Sequence, residues 1–472
     1  MAKASEYKLV EQCEVVPMKT KDTSVPLSFL DLHISGPATV TRQFFYQFPH
    51  TTSHFCETTL PTLKHSLSLT LQHYYPLAGN LISPPPPQNP YILCTHQDSV
   101  IFTIFESHAD FNHLLSKYPK SPLESDPLVP KLTYSTLHDD TFIFPMLTLQ
   151  ATVFPNHGLC IAIDYRHAID DKSCSHFMRA WSSICRSGGI DLTPVEKSPP
   201  CFDREVLKVP KGLEAIFKRD YLEIRSTWKK KVVGQSQTEE CAHVDEDYVK
   251  ATIVFEKDEI ERLKTRGLNE WKENDEFTVP KYLSKFVVTC AFVWSNLAKT
   301  RYGKNNEQVQ EKMKDEFIYF GFAADCRGRL ENHVPETYIG NCIVTWHAEL
   351  KIKELMREGG FLNAVKAIEI AVSNMKKNPF EGAENWSARY RTKFELESTI
   401  LAISSPKFNV YDTDFGFGRP VKVEMLHPSK CMSLADSGGK EGGIEVGLLF
   451  RNGEYEHFNS AIQQGLVEAI KS

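Results

Sequence analysis

The stretch Leu159-Cys160-Ile161-Ala162-Ile163-Asp164-Tyr165-Arg166-His167-Ala168-Ile169-Asp170-Asp171-Lys172-Ser173-Cys174 begins as an apolar run, ends that run on an arginine and a histidine, and then sets down two carboxylates. A short run of this kind reads as a strand buried on both faces. It returns from Pro145–Phe154, where Leu147, Leu149, Ala151 and Val153 alternate with Thr148, Gln150 and Thr152 at the strand period of two. Phe154-Pro155-Asn156-His157-Gly158 supplies the turn between them. Past the carboxylates, Cys174, Phe177, Met178, Trp181, Ile184 and Cys185 recur at helical spacing until Gly188-Gly189 ends the run, so the aspartates form an acidic helix cap. The unit is strand, acidic turn, helix. It sets His167 at a strand terminus with Asp171 close by, where an imidazole at the mouth of a cleft can serve acid–base chemistry. The chain has 17 His, and spacing alone leaves open that the aspartates only cap the helix while His167 is a satisfied polar group.

Outward from this unit the pattern is mixed. Leu60, Leu63, Leu67 and Leu71 mark an earlier amphipathic helix that closes into Tyr75-Pro76-Leu77-Ala78-Gly79. Pro84 to Pro87 read as a surface loop. Residues 191–245, with Pro194, Pro199, Pro200, Pro210, the run Lys229-Lys230-Lys231 and weak periodicity, read as a long linker. Beyond it come a strand near Lys250–Phe255, a helix from about Pro280 to Leu297, strands at Phe317–Ala324 and Ile343–Leu350, and a helix at Phe361–Met375. Three further strand-like segments around Val421–Leu426, Lys430–Leu434 and Gly443–Phe450 precede a last helix near Ser460–Lys471. The expectation is an α/β fold of mixed, α+β sheets, with domains at 1–190 and 246–472 and the linker at 191–245.

Composition narrows the function. With 54 basic and 60 acidic side chains the net charge is −6, so no global basic field draws nucleic acid or an anionic membrane. No run of about 18 apolar residues and no secretion signal appear, and the 12 Cys lack CxxC pairs. These features predict a cytoplasmic, reduced protein with no disulfide framework, no membrane partner and no metal site, and the Asn385-Trp386-Ser387 sequon is expected to be inert.

His167-Ala168-Ile169-Asp170-Asp171 fits HxxxD, and Asp414-Phe415-Gly416-Phe417-Gly418-Arg419-Pro420 resembles the DFGWG motif of the plant BAHD acyl-CoA-dependent acyltransferases. Tyr75-Pro76-Leu77-Ala78-Gly79 resembles that family's YPLAG segment, and Tyr338-Ile339-Gly340-Asn341-Cys342 the YFGNC motif of its flavonoid and anthocyanin branch. DFG alone would also suit a kinase, but the kinase Gly-rich and HRD loops are missing. Four motifs in family order span essentially the whole chain, and Ser405-Pro406-Lys407 is similar to members that transfer malonyl groups to phenolic glucosides.

The resemblance implies two chloramphenicol-acetyltransferase-like domains joined by a crossover linker, a monomer, no permanently bound cofactor, and acyl-CoA, malonyl-CoA favoured, as co-substrate. It implies catalytic-site residues His167, Asp171 and Asp414, with His167 as the general base and both aspartates chiefly structural. Arg327 is expected to pair with Asp171, and Arg329 is a candidate partner for Asp414. Phe415, Gly416, Phe417 and Gly418 form the second motif's turn. Ser284, Lys285, Arg42 and Lys407 are candidate acyl-CoA contacts, because the donor's negative charges need local cations. Lys172 stands where the family has Gly and Phe417 where it has Trp. The acceptor expected is a phenolic or flavonoid glucoside. Rival readings are a hydroxycinnamoyl-CoA donor, or a non-catalytic relative that binds acyl-CoA or glucosides.

Overall fold

The computed structural model describes residues 7–471 apart from 20, 35, 138, 233–246, 275–278, 304–314, 390–391, 394–397 and 440. The buried hairpin organises the first sheet. Its arms β9 (Leu147–Phe154) and β10 (Gly158–Arg166) are buried at every position and pair antiparallel, Phe154 opposite Gly158. Around them stand β1 (Tyr7–Val15), β3 (Thr39–Gln47), β6 (Val100–Ser107) and β15 (Lys422–Leu426), in the order β1-β6-β9-β10-β3-β15. A smaller sheet takes β2 (Thr23–Pro26), β4 (Asn80–Ser83), β5 (Tyr91–Cys94), β7 (Ser135–Thr136) and β8 (Phe142–Pro145). The remaining sheet runs β11-β17-β16-β14-β12-β13, from β11 (Tyr248–Phe255), β12 (Phe317–Asp325), β13 (Ile343–Lys351), β14 (Thr399–Ile403), β16 (Cys431–Asp436) and β17 (Ile444–Arg451).

Helices cover these sheets through their apolar stripes. We label α1 (Phe29–Ile34), α2 (Leu60–Leu71), α3 (Asp171–Arg186), α4 (Leu213–Val232), α5 (Lys285–Tyr302), α6 (Gly360–Lys377) and α7 (Glu454–Lys471). In the first lobe α2 packs on α3, where Trp181 is fully buried and donates its indole N–H to Leu63 O at 3.2 Å. In the second lobe α6 and α7 pack on α5. The architecture is mixed α/β, as the alternating periodicities require.

The three late strand-like segments are strands, and β15 pairs antiparallel with β3 in the first sheet, Glu424 opposite Gln43. Two local expectations are revised by packing. Within 191–245, Leu213–Val232 is helical because Leu213, Phe217, Tyr221 and Trp228 are buried on one face, with α4 lying on α1. The remainder of that segment from 233 lies outside the described residues. The helix expected from Pro280 starts at Lys285, after Ser284 caps it by accepting from Val287 N at 3.2 Å.

Gly79 of the YPLAG segment is required by close approach, since a Cβ there would lie 2.1 Å from Leu93 O. Gly79→Ala is therefore expected to lower stability by about 1–3 kcal/mol. Gly439→Ala, where a Cβ meets nothing within 4 Å, should leave the urea midpoint unchanged; equal midpoints for both variants would contradict this packing.

Candidate functional site

β10 delivers His167 to its end, where the backbone turns into α3. The turn is pinned on both sides: His167 N–H donates to Ala38 O at 3.1 Å, and Asn341 Nδ2 donates to His167 O at 2.9 Å. The imidazole is partly exposed, but its Nδ1 is buried. Burial pushes its pKa below the ordinary 6.5, partly offset by contributions that include Asp170, Asn341 and Asp171. A ring of this kind is neutral at physiological pH and able to accept a proton.

The two consecutive carboxylates part company. Asp170 caps α3, accepting from Ser173 N at 2.9 Å, and its Oδ2 takes Arg327 Nη1 at 2.8 Å and Cys342 N at 3.0 Å. Arg327 is fully buried and also donates to Asp325 at 2.8 Å and to Tyr338 O at 3.0 Å. The expected Asp171–Arg327 pair is thus corrected to Asp170–Arg327. The capping carboxylate faces the β12–β13 lobe, and Asp171, one residue further round the helix, faces β3.

Asp171 instead meets Arg42, whose Nη2 lies 2.5 and 2.6 Å from its two oxygens and 3.0 Å from Ser404 Oγ. Tyr165 Oη donates to the same carboxylate at 3.2 Å, and so does Ser404 Oγ. Burial opposes the Arg42 charge and Asp171 more than compensates, so its pKa is raised. Arg42 is accordingly a buried ion-pair residue, not an exposed cation.

Lys172 joins the lobes by donating to Asp325 at 2.8 Å and to Glu336. The second motif lies against the far end of α3. Asp414 Oδ1 accepts from Gly416 N at 2.8 Å and Gly418 N at 3.0 Å, a tight turn that needs φ of 108° and 98° at those glycines. Its ionic neighbour is Arg186 at 3.6 Å; Arg329 donates to Asp325 O instead. Phe415 packs edge-on against Trp181 at 4.7 Å and Phe417 against Tyr46 at 5.0 Å. Among the proposed donor contacts, Lys285 Nζ donates to Gly442 O at 2.8 Å, Ser284 is the α5 cap, and Lys407 is exposed.

The structure therefore brings His167, Asp171, Arg42 and Arg327 together and keeps Asp414–Gly418 and Ser284–Lys285 apart from them. Sequence reasoning passed over Asp170, Asn341 and Ser404 as site residues. The Asp doublet and the quoted Tyr338–Cys342 motif contained the first two; Ser404 gave no signal beyond preceding Ser405-Pro406-Lys407. Among the described residues no His, Cys, Asp and Glu cluster could hold a metal ion, and no helix is long and apolar enough to cross a membrane.

His167, at the end of a buried strand with its backbone bonded on both sides, stands where an imidazole can act as acid or base. The transferase-family profile matches residues 10–464, and the chain belongs to this family, the BAHD acyltransferases. It is 34% identical over 459 residues, 95% of each chain, to the malonyl-coenzyme A:anthocyanin 3-O-glucoside-6''-O-malonyltransferase of Dahlia pinnata. It is 33% identical over 473 residues, 97% of each chain, to coumaroyl-CoA:anthocyanidin 3-O-glucoside-6''-O-coumaroyltransferase 1 of Arabidopsis thaliana. The fold matches the crystal structure of vinorine synthase with TM-score 0.68, 18% identity and 96% coverage of both chains. The protein is an acyl-CoA-dependent acyltransferase.

A double-mutant cycle tests the carboxylate assignment. Asp170→Asn and Arg327→Met are expected to couple by more than about 1 kcal/mol in unfolding free energy, and Asp171→Asn with Arg327→Met by less than about 0.5 kcal/mol.

Proposed function

We propose that this enzyme transfers a malonyl group from malonyl-CoA to a hydroxyl of a phenolic or flavonoid glucoside, with His167 as general base. The observation that carries the reading is the neutral, half-buried imidazole whose backbone is fixed on both sides by Ala38 and Asn341. Asn341 Oδ1 and His167 Nδ1 are both buried without a partner among the described residues. A tautomer with the proton on Nδ1, which Oδ1 can accept, leaves Nε2 as the proton acceptor. Nε2 takes the proton of the acceptor hydroxyl as its oxygen attacks the thioester carbonyl carbon. The tetrahedral adduct then expels the CoA thiolate, breaking the C–S bond, and the thiolate recovers the proton from imidazolium.

The relative at 34% identity is named for malonyl transfer, which supports malonyl over a hydroxycinnamoyl donor. The coumaroyltransferase relative at 33% keeps the aromatic donor as the second reading. The two donors are separated by turnover of malonyl-CoA and coumaroyl-CoA with one flavonoid glucoside, read by the mass added to the product. We propose further that the enzyme works as a cytoplasmic monomer.

His167→Ala is expected to lower kcat by about 100- to 10,000-fold while the protein still unfolds cooperatively; normal release of free CoA thiol by this variant would remove the base assignment. The pH dependence has a definite sign. The base is lost as pH falls through the imidazole pKa, and burial lowers that pKa, so the acid limb of kcat/KM should lie below 6.5. A limb well above that value would show a different titrating group.

A further inference from the structure

The linker between the lobes is bonded to the motif that carries Asn341. Cys201 forms a parallel bridge with Tyr338: its N–H donates to Thr337 O at 2.9 Å, and its carbonyl accepts from Ile339 N at 2.8 Å. Further along, Arg204 reaches into the same motif. Its Nη1 donates to Ile339 O at 2.6 Å and its Nε to Pro26 O at 3.2 Å, and its guanidinium lies over the ring of Tyr338, 5.1 Å from the centroid. The side chain is 7% exposed, and its charge meets Asp31 of α1, which is completely buried 3.4 Å from Nε. Asp31 in turn accepts Asn341 N–H on Oδ1 at 2.8 Å and Ser28 N–H on Oδ2 at 2.8 Å. Asn341 is the residue whose Nδ2 donates to His167 O. A line of contacts therefore runs from the linker to the base: Arg204, Asp31, Asn341, His167.

Two guanidinium groups divide the carbonyls of the motif between them. Tyr338 O and Gly340 O go to Arg327 at 3.0 and 3.3 Å, while Ile339 O, between them, goes to Arg204. Arg327 ties the motif to α3 through Asp170. Arg204 and Asp31 hold the peptide groups on the two sides of Gly340, one through Ile339 O and the other through Asn341 N. Gly340 leaves no slack there, since a Cβ would lie 2.8 Å from Arg204 Nη1 and 2.8 Å from Tyr338 Oη. Fixing both peptides fixes the backbone from which the Asn341 amide extends towards His167. We propose that Arg204 is a positioning residue for the reaction: acting through Asp31 and the backbone of Asn341, it holds the Asn341 amide where that amide orients His167 for proton transfer. This rests on the reading of His167 as the base, and it gives the linker a part in the chemistry.

Steady-state kinetics on the full-length enzyme separate positioning from folding, with malonyl-CoA as donor, or coumaroyl-CoA if that is the one turned over, and a flavonoid glucoside as acceptor. Arg204→Lys keeps a cation for Asp31 and loses the planar fork that reaches Ile339 O and Pro26 O together. It is expected to lower kcat about tenfold, with both KM values within about twofold and cooperative unfolding retained. Asn341→Ala should lower kcat by a similar factor, and the double variant should be within about twofold of Asn341→Ala alone, because the two residues act in one line. Losses that multiply would show Arg204 acting by another route and overturn the proposal. The acid limb of kcat/KM is the second readout. Asn341 is among the contributions that raise the imidazole pKa, beside Asp170 and Asp171, which keep their own arginines in this variant. A displaced amide therefore moves the limb to lower pH, whereas a slower enzyme with its limb unmoved would reduce Arg204 to a stabilising role. If Arg204→Lys does not fold, Gly340→Ala, which presses on the same guanidinium from the motif side, should show the same lower kcat, unchanged KM and lower limb; wild-type kcat in that variant refutes the proposal. Normal release of CoA thiol by His167→Ala would instead remove the base itself, whatever the Arg204 variants do.

Discussion

Two buried guanidinium groups, Arg327 at 0% exposure and Arg42 at 3%, impose the constraint on which the rest depends. A buried cation without a partner costs several kcal/mol. Both are neutralised from consecutive positions at the start of one helix, Asp170 towards the β12–β13 side and Asp171 towards β3. Because the two side chains leave the helix in different directions, α3 cannot rotate or slide without breaking one pair. The four-residue turn before it, with His167 at its head, inherits that immobility. Asp170 does three things with one carboxylate, capping α3, neutralising Arg327 and receiving Cys342 N–H, so the cap and the contact between lobes stand or fall together.

Much of this was legible in the sequence where periodicity and turn chemistry agree. The β9–β10 hairpin, the acidic cap and the stripe from Cys174 to Cys185 are all local patterns, and local patterns survive folding when the core accepts them. What was not legible is long-range. Nothing in the residues near Val421–Leu426 says that β15 joins β3 across more than half the chain instead of its own neighbours β16 and β17. Nor does spacing say which of two adjacent aspartates meets Arg327. That depends on helix phase at a one-residue resolution, which a motif such as HxxxD does not carry. Leu213–Val232 was hidden for another reason: prolines at 194, 199, 200 and 210 and a lysine run dominate the composition of the segment, while its four buried anchors are spaced widely enough to escape notice.

The net charge of −6 takes on a different meaning inside the fold. Lys120, Lys250 and Lys422 are buried around a single carboxylate, Glu424, yet they do not make an anion site. Lys120 donates to Leu114 O at 2.6 Å and Ser116 O at 2.8 Å, Lys422 to Leu114 O at 2.7 Å, and Lys250 to Glu424 at 2.5 Å and Ser125 Oγ at 3.0 Å. The ammonium groups of Lys120 and Lys422 bind carbonyls at the end of a short helix, and Lys250 fastens β11 to β15 through Glu424. The crowding shows in Lys120, whose pKa falls to about 7 through burial and its lysine neighbours, against the pull of Glu424. Cationic residue counts therefore overstate the positive charge available to a phosphate-bearing donor.

The same electrostatic logic limits what His167 can do. A catalytic base is most useful when its pKa lies near the working pH, and burial alone would carry an imidazole too far below it. A carboxylate in direct contact would correct this at the risk of holding the ring permanently protonated. The structure takes a middle course: Asp170 and Asp171, each paired with an arginine, offset only part of the effect of burial on the ring, and the neutral amide of Asn341 contributes in the same direction. Pairing the aspartates elsewhere thus does more than stabilise the fold. It keeps their full charge off the imidazole, so that the proton His167 takes from a hydroxyl remains free to leave with the thiolate.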